Sequence, residues 1–263
     1  MAITILQVID TILDAVPGAQ REETVDIIKA GDASQPVKGI VTTFMASYAV
    51  IRKAVSLGAN LIITHEPTFY NHLDQVGWLE SDPVYQQKRK LIDDNGLVIW
   101  RFHDNWHIHQ PDGLLTGLVK QLGWEGFADP QEPGVFHLPP ISLADLAASF
   151  KSKLNIHTLR MVGKPEMICR KVGILVGAWG GTNQILFYGK NNPDVLVCGE
   201  IAEWETSEYV RDAVAQGKQK ALLVLGHANS EEPGMSYLVE WLQPRFPGIA
   251  IHHVPIGDAF LYR

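Results

Sequence analysis

Residues 37–66, VKGIVTTFMASYAVIRKAVSLGANLIITHE, decide the architecture. A helical pattern over 43–57 places Phe44, Tyr48, Ile51 and Val55 on one face, and Gly58 supplies a stop. The apolar run 60–64, NLIIT, then reads as a short buried strand that ends at His65-Glu66. Sliding the chain by 134 positions lays this stretch on 171–200, KVGILVGAWGGTNQILFYGKNNPDVLVCGE, where Gly39 meets Gly173, Ile63 meets Val197 and Glu66 meets Glu200. A slide of 124 lays Leu97–His107 on Ala221–Glu231, so that His103 meets His227 and His107 meets Glu231. The pattern is a duplicated strand–helix–strand unit, each copy followed by a helix and a strand that ends in histidine.

The rest of the chain alternates in the same way. Helices are expected near 84–95, 142–154, 202–216 and 234–242, and strands near 97–102, 173–177, 195–198, 221–225 and 249–254. Ser142 and Asp145 form a capping-box-like start for the second of these helices. The stretch 124–140, rich in Gly, Pro and acidic residues, reads as a linker. The expected fold is therefore α/β: two similar, pseudo-duplicated domains with mixed sheets flanked by helices. The expected units are 1–127 and 128–263, with the C-terminal strand free to return to the first.

Composition narrows the function classes. The chain has 263 residues, 46% hydrophobic and 19% charged, as in a globular protein. The net charge is −7 with no basic stripe, so nucleic acid is an unfavoured partner. No apolar run approaches the roughly 20 residues that span a membrane. The N-terminal stretch MAITILQVIDTILDAV reads as a first helix rather than a signal peptide, and Cys169 and Cys198 lack metal-type spacing. A reduced, cytoplasmic setting is expected.

Three apolar strands end in histidine: LIIT-His65-Glu66, VIWRF-His103-DNW-His107 and LLVLG-His227-ANS-Glu231. The carboxyl ends of strands form the ligand-binding rim of open α/β sheets. Four histidines and two carboxylates suit Zn, Fe or Mn, and positions i and i+4 of a helical turn can grip one ion. Six donors exceed what one catalytic zinc needs, so two divalent ions are expected on His65, Glu66, His103, His107, His227 and Glu231. Ser230-Glu231-Glu232 before Pro233 also reads as a helix cap. Glu200 is cast as an outer carboxylate or a proton shuttle. His72, His137 and His157 are read as structural. Trp106, Trp179 and Trp204 are candidates for stacking on a ligand, against the alternative of core packing. Gly177-Ala178-Trp179-Gly180-Gly181 looks like a phosphate-cradling turn or simply a tight one. There is no G-x-S-x-G elbow and no P-loop.

Thr64-His65-Glu66-Pro67, the pair His103 and His107, Val197-Cys198-Gly199-Glu200, and Gly226-His227-Ala228-Asn229-Ser230-Glu231 together resemble the Nif-three-like family. The resemblance runs from about Val37 to the C-terminal strand, and the last motif is its most specific part. It implies two similar α/β domains, a two-metal site, a toroidal homohexamer and a type-two GTP cyclohydrolase label. The family usually has His-His where this chain has His65-Glu66, and His-x3-Asp where it has His103 and His107. Each exchange keeps a competent ligand. The expected function is a two-metal hydrolase acting on a small phosphorylated or nucleotide-like substrate. The alternative is a metal-binding scaffold or regulatory protein that works as a ring.

Overall fold

The computed structural model describes residues 2–261. The chain falls into two compact units. One comprises the residues up to Thr116 together with Gly234–Ala259, and the other Gly117–Pro233 with the residues from Phe260.

The first unit opens with α1 (Ile5–Asp14), β1 (Ile28–Ala30), β2 (Ile40–Thr43), α2 (Tyr48–Ser56) and β3 (Leu61–Thr64). It continues through α3 (Pro83–Asp94), β4 (Val98–Arg101), α4 (Asp104–Ile108) and the start of α5 (Gly113–Leu122), whose residues from Gly117 belong to the second unit. The Thr4 hydroxyl and the Gln7 side chain form a capping box at the start of α1. The second unit is formed by β5 (Val135–Ser142), α6 (Leu143–Leu154), β6 (Arg160–Val162), β7 (Ile168–Leu175) and α7 (Gly181–Asn191). It goes on through β8 (Val195–Cys198), α8 (Glu208–Ala215), β9 (Ala221–Val224) and the start of α9 (His227–Leu242). The last strand, β10 (Ile251–His253), belongs to the first unit and lies parallel to β2.

Among the described residues the first sheet has the order β1-β4-β3-β2-β10 and the second β5-β7-β8-β9-β6. Each has a parallel trio, β2-β3-β4 or β7-β8-β9, with an antiparallel edge strand on its last member, β1 or β6. The two units are thus similar α/β halves with mixed sheets. Every residue of β2, β3, β4, β8 and β9 is buried, as expected where helices cover both faces of parallel strands. In the first sheet Val41, Ile62 and Ile99 share one face with Val50, Ile51 and Ala54 of α2 and Ile92 of α3. In the second, Leu196, Cys198, Leu222 and Val224 pack with Tyr188 of α7 and Val210 of α8.

Strand pairing refines the repeat. Leu61 pairs with Val98, and Val195 pairs with Ala221. The structural counterpart of Ala221 is therefore Val98, one residue after the Leu97 given by the slide of 124. The extra residue is absorbed at Gly226, whose φ of +99° lies in a region glycine adopts freely. Ile40 pairs with Leu61 and Val172 with Val195, so the counterpart of Ile40 is Val172, two residues before the Ile174 given by the slide of 134.

Four local expectations change. The helix read over 43–57 starts only at Tyr48, because the Ser47 hydroxyl caps it by accepting from Val50 N–H. Its buried face is Val50, Ile51 and Ala54, while Tyr48 is exposed. The last six residues of the linker read over 124–140 belong to β5, paired with β7 across an irregular register between His137 and Ile141. The helix read over 234–242 begins seven residues earlier, at His227, and carries Pro233 within it. Glu231 is therefore a helical residue and not a cap.

Candidate metal centre

In the first unit β3 and β4 are adjacent, and Thr64 pairs with Arg101 at their carboxyl ends. The chain continues from one into His65-Glu66 and from the other through Phe102 into His103. The His65 and His103 rings consequently stack, with centroids 4.4 Å apart. His107 lies one turn on in α4, its ring 5.2 Å from His65 and 5.1 Å from His103. Each of the three offers a donor atom, and those atoms lie within 4.8 Å of one another. His65 is buried, while the side chains of His103 and His107 are 21% and 30% exposed, so the cluster opens to solvent on one side.

What orients the rings is as informative as their proximity. His65 Nδ1 lies 3.3 Å from the Phe102 carbonyl, His103 Nδ1 2.8 Å from Asp104 Oδ1, and His107 Nδ1 2.8 Å from Asp112 Oδ2. Carbonyl and ionised carboxylate oxygens only accept, so each Nδ1 carries the proton and the metal-binding lone pair lies on Nε2. Burial pushes the basicity of His65 well down, and the His103 and His107 charges reinforce the shift. Burial also lowers that of His103, against the opposing pull of Asp104 and Glu66. Both rings are therefore held neutral, the form that binds metal.

Glu66 faces the same cluster, its Oε1 3.7 Å from His103 Nε2. Its Oε2 accepts from Arg101 Nη2 at 3.2 Å. Arg101 is fully buried and also donates to the carbonyls of His65 (2.9 Å) and His72 (2.6 Å). Asp26 receives the backbone N–H groups of His103, Asp104 and Asn105, which fixes the first turn of α4. The Asp112 carboxylate that holds His107 also takes the N–H groups of Leu114 and Leu115 at the start of α5.

The second unit repeats the device with different donors. Glu200 follows β8 as Glu66 follows β3, and its Oε2 lies 3.1 Å from His227 Nδ1. His227 Nε2 is 3.1 Å from Glu231 Oε2, one helical turn on. His227 thus has a carboxylate oxygen beside each ring nitrogen, and on its Nε2 side, as at His103 beside Glu66, an imidazole and a carboxylate stand together. Imidazole and carboxylate are donor types that suit a divalent ion. Glu231 is 2% exposed and fills the space where a Cβ on Gly177 would stand, 2.1 Å from its Oε1. Ser230 accepts from Gly177 N–H and donates to the His227 carbonyl, which locks the turn.

Other candidates resolve differently. Trp106 is fully buried among Phe102, Tyr237 and Trp241, so it is core; Trp179 and Trp204 are 49% and 80% exposed. At the glycine turn before α7, the Gly181 N–H already donates to Glu205 Oε2, so a carboxylate stands where a phosphate would. Asp104 and Asp112 were within reach of sequence reasoning, as acidic neighbours of the histidine motif. Asp26 and Arg101 had no such signal, because their contacts come from the tertiary fold.

A chain of two similar α/β units, each with imidazole and carboxylate donors at the carboxyl ends of its parallel strands, defines a recognisable class of protein. Residues 5–257 match the family model described as Duf34/NIF3 (NGG1p interacting factor 3), and the chain belongs to that family. It is similar to the GTP cyclohydrolase 1 type 2 homolog of Haemophilus influenzae, 26% identical over 80% of this chain and 81% of that one. It is also similar to the homolog of the same name from Clostridium perfringens, 24% identical over 90% of each. Among solved structures, the Bacillus cereus protein related to NIF3 superposes with a TM-score of 0.77 at 17% identity, covering 100% of this chain and 99% of that one. Reduced HcgD from Methanocaldococcus jannaschii gives 0.70 at 19% identity, covering 95% and 97%. These likenesses share the fold.

Proposed function

We propose that the chain is a metal-dependent hydrolase of a small nucleotide or other phosphorylated compound. Its donors are His65, Glu66, His103 and His107 in the first unit and His227 and Glu231 in the second, for two divalent ions of Zn, Fe or Mn. The observation that carries this reading is the orientation of the imidazoles: each of the four has its Nδ1 against an acceptor oxygen. Divalent ions held this way supply Lewis acidity toward a carbonyl or phosphoryl oxygen. The chain's own groups do the rest. Arg101 fixes Glu66 against the histidines, and Glu200, with its side chain 58% exposed, is placed to take a proton.

The names of the relatives put a purine nucleotide first among substrates to test. A homohexamer is the assembly we expect, since closed homo-oligomers are common and the family resemblance points to six copies. Elemental analysis of chelator-free protein, followed by assay of the metal-loaded chain with GTP and simpler phosphate compounds, tests the reading. We expect about two ions per chain and hydrolysis that Glu231→Gln abolishes. No uptake of Zn, Mn or Fe would sink it.

A further inference from the structure

The segment after β3 carries a histidine that the metal motifs do not include. Thr68–Gln75 is held in a costly shape. Tyr70 (φ +69°) and Asp74 (φ +56°) both occupy the left-handed region without being glycine. Such conformations persist where surrounding contacts enforce them, and they cluster at binding sites. Three buried cations do the enforcing. Lys88 donates to the Thr68 carbonyl at 2.5 Å. Lys29 lies 3.5 Å from Asp74 Oδ2, with both side chains 4% exposed, and Asp74 Oδ1 accepts from Phe69 N–H at 2.6 Å. Arg101 donates to the His72 carbonyl at 2.6 Å, with the guanidinium that also holds the His65 carbonyl and the Glu66 carboxylate.

The residue so placed is His72. Its backbone is pinned between the two strained positions, yet its side chain is exposed. Its ring centroid is 6.4 Å from that of His103, and the rings are nearly perpendicular at 85°. That is farther than the 4.4–5.2 Å separating the three clustered imidazoles. His72 therefore stands beside the donor cluster without being one of its members. Core packing does not explain its placement, because the ring is not buried. Two of the three cations are compensated by carboxylates, Lys29 by Asp74 and Arg101 by Glu66, so the exposed imidazole of His72 is the segment's own donor beside the cluster.

We propose that His72 is a substrate-binding residue of this site, whose imidazole hydrogen-bonds a phosphoryl oxygen of the substrate. The inference rests on the metal-dependent reading above and adds the chemical group recognised. The segment's strain is the means of presenting that imidazole at a fixed distance from the metal donors.

The test uses the full chain loaded with Zn or Mn, and inorganic phosphate as the probe. Metal content is measured by elemental analysis and phosphate affinity by calorimetry, for wild type, His72→Ala and His72→Gln. We expect all three to carry the same metal. Phosphate affinity should fall about tenfold or more in His72→Ala, as for a lost hydrogen bond to a charged group, and recover in part in His72→Gln, which keeps a donor. Equal affinity in wild type and His72→Ala, or no phosphate binding by metal-loaded wild type, overturns this inference alone. Metal loss in His72→Ala also overturns it, by making His72 a ligand. Failure of wild type to take up metal overturns the proposed function and this inference together.

Discussion

Asp26 accepts a hydrogen bond from the backbone N–H of His103 at 2.7 Å, although 77 positions separate them in the chain. The same carboxylate takes the next two N–H groups of the α4 turn. It thereby sets the direction in which His103 and His107 leave the backbone. Asp26→Ala strands those donors and should cost about 2–3 kcal/mol of stability. Outer partners of ligating histidines typically contribute roughly 10–100-fold in metal affinity, so zinc binding measured by calorimetry should weaken by that order. Unchanged affinity would show that α4 holds its histidines without this carboxylate.

Glu231 and Glu232 are neighbours in α9, and Glu231 Oε2 lies 3.1 Å from His227 Nε2. Glu231→Gln should lose at least one equivalent of metal, because an amide oxygen is a far weaker donor than a carboxylate. Glu232→Gln should retain full loading. Elemental analysis of both variants decides the matter; equal loss would mean that the pairing of His227 with Glu231 is not what binds the ion.

Gly177 offers a steric version of the same experiment. A Cβ there would meet Glu231 Oε1 at 2.1 Å, and the residue sits at φ +70°. Gly180 has a similar φ of +75° but open space around it. Gly180→Ala should cost only its backbone strain, about 1 kcal/mol. Gly177→Ala should cost about 3 kcal/mol and reduce metal content as Glu231→Gln does. Urea melts that rank the two variants alike would refute the steric argument.

Lys88 predicts a pH dependence. Burial lowers its ammonium from the usual 10.5 to about 8, with Asp74 opposing the shift. Below pH 8 both folded and unfolded chains hold this proton, and the cost of burying the charge is fully present. Between pH 8 and 10.5 the unfolded chain holds more protons, so this residue's contribution to stability rises with pH. The full change is on the order of 3 kcal/mol at about 1.4 kcal/mol per unit. Wild type should therefore gain stability relative to Lys88→Met from pH 7.5 to 10, and parallel profiles would exclude the effect.

The alternating architecture was legible because the central strands are short, largely apolar runs, and three of them, β3, β4 and β9, are followed within three residues by a histidine. His65, His103 and His227 announced themselves as strand ends for that reason. The register of the repeat was less legible. Gly226 adds one residue between β9 and His227, and a sequence slide cannot tell such an insertion from a shifted strand. The reach of α9 back to His227 was hidden by Pro233, which reads as a helix start although the helix runs through it. Asp26 and Arg101 were invisible because their roles depend on chain segments far apart in sequence. His72 was read as structural, since nothing in its neighbours reveals the left-handed turns that expose it.

The return of residues 251–253 to lie beside β2 sets an order on biosynthesis. A ribosome releases all of β5 through β9 before the strand that completes the first sheet exists. Until then β2 presents an unpaired, apolar edge of the kind that recruits other chains. A nascent chain stalled just short of Ile251 would carry a finished second sheet and an open first one. Its hazard would be misassembly with its neighbours on the polysome, and chaperone demand should last until Ile251–His253 has emerged.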